Sequence, residues 1–354
     1  TVDLWRTMNG WVYAGFDQTY RAIGVDFDKF YYESETYLLG KERVEEGLAK
    51  GVFFKKSDGS VWIDLTAENL DEKLLLRADG TSVYITQDLG TAELKYQDTG
   101  CRRSVYVIGD EQNYHMQVLQ AILRRLEKPY ADGIHHLSYG MVDLPSGRMK
   151  SREGTVVDAD ELVQEMIDTA RATTEELGKI DGLSAAEADE LFRTLALGAL
   201  KFFLLKVEPK KRMLFNPAES IDFRGHTGPF VQYTHARIRA IGRKAAEQGL
   251  SADAAAFAGA GAVAELNDSE RELIAQLIGY RAAVRAAAAA LAPSLIAQYA
   301  YELAKIYNRF YTDSPVLSEA DAARRALRLA LSGRTAATLR AALGLLGIGA
   351  PERM

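Results

Sequence analysis

Apolar positions recur at helical spacing from the start of the chain. Trp5, Met8, Trp11, Val12, Gly15, Phe16 and Tyr20 follow an i, i+3, i+4 pattern, which predicts a helix over 5–23 closed by Gly24. An extended stretch is expected over 27–33 and a second helix over 36–50, closed by Gly51. Two short β-like runs, 52–56 and 60–65, flank Ser57, Asp58 and Gly59. Glycine tolerates the positive φ of a tight hairpin, so a small helix–hairpin insertion is expected at about 36–70.

Between 74 and 142 the pattern changes type repeatedly. Residues 74–76 and 83–86 read as strands, 88–97 as a helix, 105–108 as a buried strand, 113–126 as a helix and 134–139 as a strand. Such alternation builds one half of a parallel, doubly wound sheet. A half-sheet with an open edge needs a partner. From Asp158 onward the periodicity is helical, with candidate helices at 158–178, 184–205, 218–249, 267–290, 292–311, 318–330 and 333–346. Pro293 suits the first turn of its helix, where a missing N–H costs little. The alanine- and glycine-rich stretch 251–264 reads as a loop. The expected architecture is an α/β half-domain joined to a helical bundle.

Composition narrows the function classes. A single cysteine, Cys101, excludes a disulfide framework and a Cys-rich zinc site in a chain of 354 residues, and it fits a reducing compartment. No window of eighteen apolar residues and no secretory pattern is present, so no membrane partner and a cytoplasmic location are expected. The net charge of −6 is uneven: −10 over 1–220 and +4 from Ile221 to the end. The asymmetry points weakly to an anionic partner for the C-terminal part, although a solvated helical surface explains it more simply.

The densest chemistry lies in 147–157, where Arg148, Lys150 and Arg152 alternate between Gly147 and Gly154. A loop of this kind can close over phosphates and neutralise a leaving pyrophosphate, but on its own it is more often a solvated turn. His135 and His136 are adjacent in a strand and point to opposite faces, so they do not share a metal ion.

This loop resembles the Lys-Met-Ser-Lys-Ser loop of class I aminoacyl-tRNA synthetases, in the form found in arginyl-tRNA synthetases. It departs from that form at Lys150, where Ser is usual, and at Glu153, where Lys is usual, which leaves open which cation serves the pyrophosphate. Three further blocks resemble the same family: 77–88, 106–115 and 228–237, together with the ending from Leu345 to Met354. The resemblance implies an α/β half of a Rossmann-like class I synthetase catalytic domain followed by an all-α anticodon-binding bundle. It places the catalytic part at 1–160, a helical connector at 161–220 and the anticodon-binding domain at 221–354.

The implied activity is arginine–tRNA ligation: ATP activates arginine to arginyl-adenylate, and the arginyl group passes to tRNA(Arg). Tyr84, Asp88 and Gln112 match the arginine pocket, with Asp88 expected at a strand's carboxyl end; a helix N-cap suits Asp88 equally well. Gly109, His115, Gly140, Met141 and Met149 match the ATP site, with Gly109 a close backbone approach. Without the resemblance, His115 would be an ordinary polar helix residue. Arg148, Lys150, Ser151 and Arg152 match the catalytic loop. Tyr233, Arg237, Tyr311 and Met354 match the anticodon pocket, and Tyr311 suits bundle core as well. Arg239, Arg243 and Lys244 are expected to position phosphates. Implied ligands are L-arginine, tRNA(Arg) and ATP with Mg²⁺ bound through its phosphates; no protein-bound metal is implied, and a monomer is expected.

The five histidines include no His-x-Gly-His element, and the chain does not begin with Met. A C-terminal fragment of a larger synthetase is therefore expected, inactive by itself. The alternative is a non-catalytic tRNA-binding module. A cysteinyl synthetase is disfavoured because its zinc ligands need several cysteines.

Overall fold

The structure is a computed structural model that describes residues 1–36, 38–143, 158–178, 182–251, 263 and 265–354, with backbone alone at 217–218. They form two compact units: one of Thr1–Val25, Val142–Pro209 and Met213–Met354, the other of Asp26–Met141 and Lys210–Arg212.

Helix α1 (Val2–Ile23) opens the first unit and ends where Gly24 takes φ 70°. None of its residues is buried; Trp5, Met8, Trp11 and Phe16 all stand at least half exposed.

In the second unit α2 (Leu39–Ala49) starts later in the chain than the sequence pattern suggests, because residues 33–36 form a separate single helical turn. Strands β1 (Phe54–Lys55), β2 (Val61–Ile63) and β3 (Lys73–Leu76) then make an antiparallel sheet in that order. Gly59, at φ 87°, makes the β1–β2 turn, and the Asp58 carboxylate accepts the Ser60 N–H at 2.9 Å.

Residues 83–86 are not a strand. Val83 is an extended N-cap, and helix α3 runs Tyr84–Thr99. The β-branched run Val-Tyr-Ile-Thr favours a strand locally, but Ile85, Leu89 and Ala92 bury one helical face against β3 and α2, and packing overrides propensity. The approach to α2 is close: a Cβ on Gly40 would lie 2.0 Å from the Thr86 carbonyl oxygen, and one on Gly90 2.6 Å from the Gly40 nitrogen.

Next come β4 (Ser104–Gly109), α4 (Asn113–Arg125) and β5 (Ile134–Tyr139), with β4 and β5 parallel and Tyr106 opposite His136. The expected run of three parallel strands therefore reduces to one β–α–β unit. Helix α4 packs Met116, Leu119 and Ile122 into the core with Leu89 and Ile134. Among the described residues only one face of the pair is covered. Val105 is 40% and Val107 64% exposed, so β4 is not the fully buried strand its apolar run suggests.

The first unit resumes with β6 (Val142–Asp143). Helix α5 (Ala159–Glu176) is capped by Asp158, whose carboxylate accepts the Asp160 N–H at 2.8 Å. Helix α6 (Ala185–Leu205) starts in a Ser184/Glu187 capping box. Strand β7 (Met213–Leu214) pairs in parallel with β6.

The expected helix over 218–249 is interrupted: α7 spans Gly228–Glu247, and 221–227 is not helical. Thr227 caps α7, accepting the Phe230 N–H, and Pro229 lies in its first turn. The helix over 267–290 divides at Gly279 into α8 (Asp268–Ile278) and α9 (Tyr280–Ala290), and α10 (Ser294–Asp313) follows. The two expected helices at 318–330 and 333–346 are one, α11 (Ala322–Leu345). Gly333 does not break it, because Leu331, Thr335 and Leu339 are buried on the faces around it. Tyr307, Phe310, Leu303 and Leu339 centre the bundle core.

Candidate functional site

The first candidate site forms within the second unit. Asp88 is the fifth residue of α3, so it is neither at a strand end nor an N-cap, and both sequence-based placements are corrected. Its Oδ2 lies 2.6 Å from Nε2 of His115 on α4. The Asp88 side chain is 43% exposed and the His115 side chain 28%. Tyr84, one turn before Asp88, is 80% exposed. Gln112 is exposed at the N-cap of α4, three residues before His115. Helical spacing thus gathers Tyr84 and Asp88 on one helix and Gln112 and His115 on its neighbour.

Two residues that sequence reasoning missed join this group. Lys95 lies two helical turns beyond Asp88, and its Nζ sits 4.4 Å from the centre of the Tyr106 ring. Burial pulls the Lys95 pKa down, and the Asp88 charge pulls it back up. The Tyr106 hydroxyl is pushed up to about 12 by burial first and by Asp88 second. The seven-residue interval from Asp88 to Lys95 was the available sequence signal.

Gly109 closes β4, yet among the described residues a Cβ there would meet only Tyr139, at 3.9 Å, so none of them demands glycine. At Gly140 a Cβ would lie 2.6 Å from backbone of Lys211, which excludes any side chain. Met141 is 38% exposed. Beside the carboxyl ends of β4 and β5 lies a cavity of about 320 Å³, lined by Asp110, Asn113, Gln117, His136, Ser138 and Lys210, among others. Crevices at strand carboxyl ends are the usual ligand position in open α/β sheets. His136 donates from Nε2 to the Ile108 carbonyl at 3.1 Å. Among the described residues no group of three or more His, Cys, Asp or Glu could hold a metal. Arg148, Met149, Lys150, Ser151 and Arg152 lie outside the described residues.

The second candidate site forms within the first unit. The Arg237 guanidinium lies 4.8 Å from the Tyr233 ring centre and 5.9 Å from that of Tyr311. Its Nη1 donates to Asn308 Oδ1 at 2.9 Å, and Asn308 in turn donates to Thr234 at 3.0 Å. Tyr311 is 39% exposed and nearly parallel to Tyr307, at 18°. Planar faces of this kind suit stacking on unpaired bases. Met354 packs against the α5–α6 core cluster, which also includes Phe223, the ring in contact with Tyr233. Arg239 and Arg243 are engaged by the chain terminus: Arg239 Nε is 2.5 Å from Glu352 Oε2, and Arg243 donates to the Glu352 carbonyl at 2.9 Å. No helix among the described residues is long and apolar enough to cross a membrane.

A parallel β–α–β unit with polar groups at its carboxyl ends is followed along the chain by a helical bundle bearing an aromatic–guanidinium face, and the family models that match these two parts give the class as class I aminoacyl-tRNA synthetase. The chain belongs to the family of class I (R) tRNA synthetase catalytic domains, whose model matches residues 2–216, and a DALR anticodon binding domain matches residues 231–354. Curated relatives include an arginine–tRNA ligase of Bacteroides thetaiotaomicron, 56% identical over 99% of this chain and 58% of that protein. Another, from Amoebophilus asiaticus, is 58% identical with the same coverage. The Thermus thermophilus arginyl-tRNA synthetase structure superposes with a TM-score of 0.80 at 27% identity, covering 95% of this chain and 62% of that one. A Plasmodium falciparum arginyl-tRNA synthetase shares the fold at 18% identity, with a TM-score of 0.80. The chain spans about 58% of the length of the curated relatives it matches.

Proposed function

We propose that the chain supplies the amino-acid-binding part of the catalytic fold and the anticodon-binding bundle of an arginine–tRNA ligase. One observation carries the reading: a half-buried carboxylate, Asp88 on α3, bonds His115 on α4 at 2.6 Å, with Tyr84 one turn before Asp88 and Gln112 one turn before His115. A guanidinium presents a fork of donors that a carboxylate accepts in bidentate fashion. The names of the relatives support the same substrate.

In this reading Asp88 grips the guanidinium, with Tyr84 and Gln112 beside it. Gly109, Gly140 and Met141 border the ATP, whose phosphates carry Mg²⁺. Met149 and the cations Arg148, Lys150 and Arg152, with Ser151, complete the nucleotide side. No covalent enzyme nucleophile is needed, because the arginine carboxylate attacks the α-phosphorus and pyrophosphate departs. Positioning and charge stabilisation supply the rate. Tyr233, Arg237, Tyr311 and Met354 receive the anticodon. The divisions at 160 and 220, a monomeric state and a cytoplasmic location belong to the same reading.

Arginine-dependent pyrophosphate exchange by the full-length protein, with tRNA present, tests it. Asp88→Asn is expected to weaken arginine binding by on the order of 2–5 kcal/mol. Arginine affinity unchanged by that substitution, or exchange driven by another amino acid, refutes the assignment. Binding of tRNA with no exchange at all identifies a binding module instead.

A further inference from the structure

The Asp88–His115 bond carries more than the resemblance assigns to it. His115 lies on α4 and Asp88 on α3, so the 2.6 Å bond ties the carboxylate to a second helix. A carboxylate offers two oxygens and about four lone-pair directions. His115 occupies one at Oδ2 and leaves Oδ1 to accept from a ligand. The competing cation is internal. Lys95 is on Asp88's own helix and senses its charge, yet its ammonium rests over the Tyr106 ring at 4.4 Å. A freely rotating Asp88 would be drawn toward that ammonium, and an internal ion pair would fill the place of a guanidinium.

We propose that His115 is a positioning residue of the amino-acid pocket: its Nε2–H bond to Oδ2 holds Asp88 away from Lys95 and leaves Oδ1 available to the substrate guanidinium. The inference rests on the arginine pocket proposed above. It places His115 on the amino-acid side, where the family resemblance places it beside ATP. A side chain fixed before the ligand arrives binds more tightly because less freedom is lost on binding.

The test separates the two substrates. In the full-length protein, His115→Ala is expected to raise the KM for arginine about tenfold, the scale of one lost hydrogen bond to a charged group. The KM for ATP should stay within about twofold, well under one such bond. His115→Gln, whose amide reaches the same oxygen, should restore most of the loss. Adding Lys95→Met to His115→Ala should recover arginine binding, because the competing cation is gone. An arginine KM unchanged in His115→Ala, or an ATP KM that rises more than the arginine KM, overturns the inference. Asp88→Asn run in parallel distinguishes the failures. Arginine affinity lost there but kept in His115→Ala removes only the role of His115. Affinity kept in both removes the pocket itself.

Discussion

His235 makes the stability of the helical bundle depend on pH in a calculable way. It is 1% exposed, its Nδ1–H donates to the Pro351 carbonyl at 2.9 Å, and its buried Nε2 has no partner among the described residues. Burial, reinforced by Arg340 and Arg239, lowers its pKa from 6.5 to about 4. The folded chain therefore keeps this imidazole neutral at a pH where the unfolded chain protonates it. Stability is complete above about pH 6.5, falls as the pH drops toward 4, and levels off below that. Integrating the two titrations gives a loss of about 2 kcal/mol between pH 7 and pH 5. The bond it supports belongs to a strap in which α7 also donates from Gln232 to Gly349 and from Arg243 to Glu352.

The assay is hydrogen exchange of the α7 amides, corrected for intrinsic rates, which reports this element's opening even where other parts unfold separately. His235→Asn, whose amide nitrogen takes the place of Nδ1, preserves a donor for Pro351 and removes the titration, so its opening free energy should fall by about 2 kcal/mol less than the parent's over the same interval. His226, also lowered by burial, is present in both proteins and cancels. Parallel pH curves for parent and variant, or an NMR titration of His235 centred near 6.5, would refute the reasoning.

Three other outcomes follow from particular contacts. Arg328 is 4% exposed, bonds Glu270 at 2.8 Å and Glu319 at 2.7 Å, and Glu270 is fully buried. Arg328→Met should cost about 3–5 kcal/mol in urea unfolding because it strands that carboxylate, and Arg328→Met with Glu270→Leu should recover much of the loss. Gly40→Ala should cost about 1–3 kcal/mol or more in thermal unfolding, since its Cβ would strike the Thr86 backbone; an unchanged melting temperature contradicts the α2–α3 crossing. Tyr311→Ala should weaken binding of an anticodon stem-loop by about 1–3 kcal/mol in fluorescence anisotropy, and equal affinity would make Tyr311 a core residue alone.

The sequence reveals local order well where one signal dominates. The turn at Gly59, the α1 stop at Gly24 and the β4–α4–β5 unit lie where spacing puts them, because their glycines and apolar periods have few alternatives. It misleads where a tertiary contact decides. Val83 to Thr86 has strand residues but helical burial, and Ser332–Gly333 looks like a break inside an unbroken α11. The site divides in the same way. Asp88, Gln112 and His115 fall in recognisable blocks, but the bond joining Asp88 to His115 crosses 27 positions, and periodicity cannot register it. Lys95 was legible only as an unremarked residue two turns further along a helix assigned too short.

Charge counting misjudges the second site for a related reason. The C-terminal excess of +4 suggests a surface available to phosphates. Much of that cation is engaged internally: Arg328 lies buried between two glutamates, while Arg239 and Arg340 both pair with Glu352. Removing Glu352 would free two guanidiniums and raise the local positive potential, so the net charge of the bundle understates what one acidic residue conceals. Arg237 differs in kind. Its partner is the neutral Asn308, and two tyrosine rings flank it, so its charge is positioned without being cancelled. A cation held that way, beside a ring as exposed as Tyr311, is suited to a base as well as a phosphate. The sequence supplies the count of arginines; the hydrogen-bond partners separate those paired with carboxylates from Arg237, whose partner is a neutral amide.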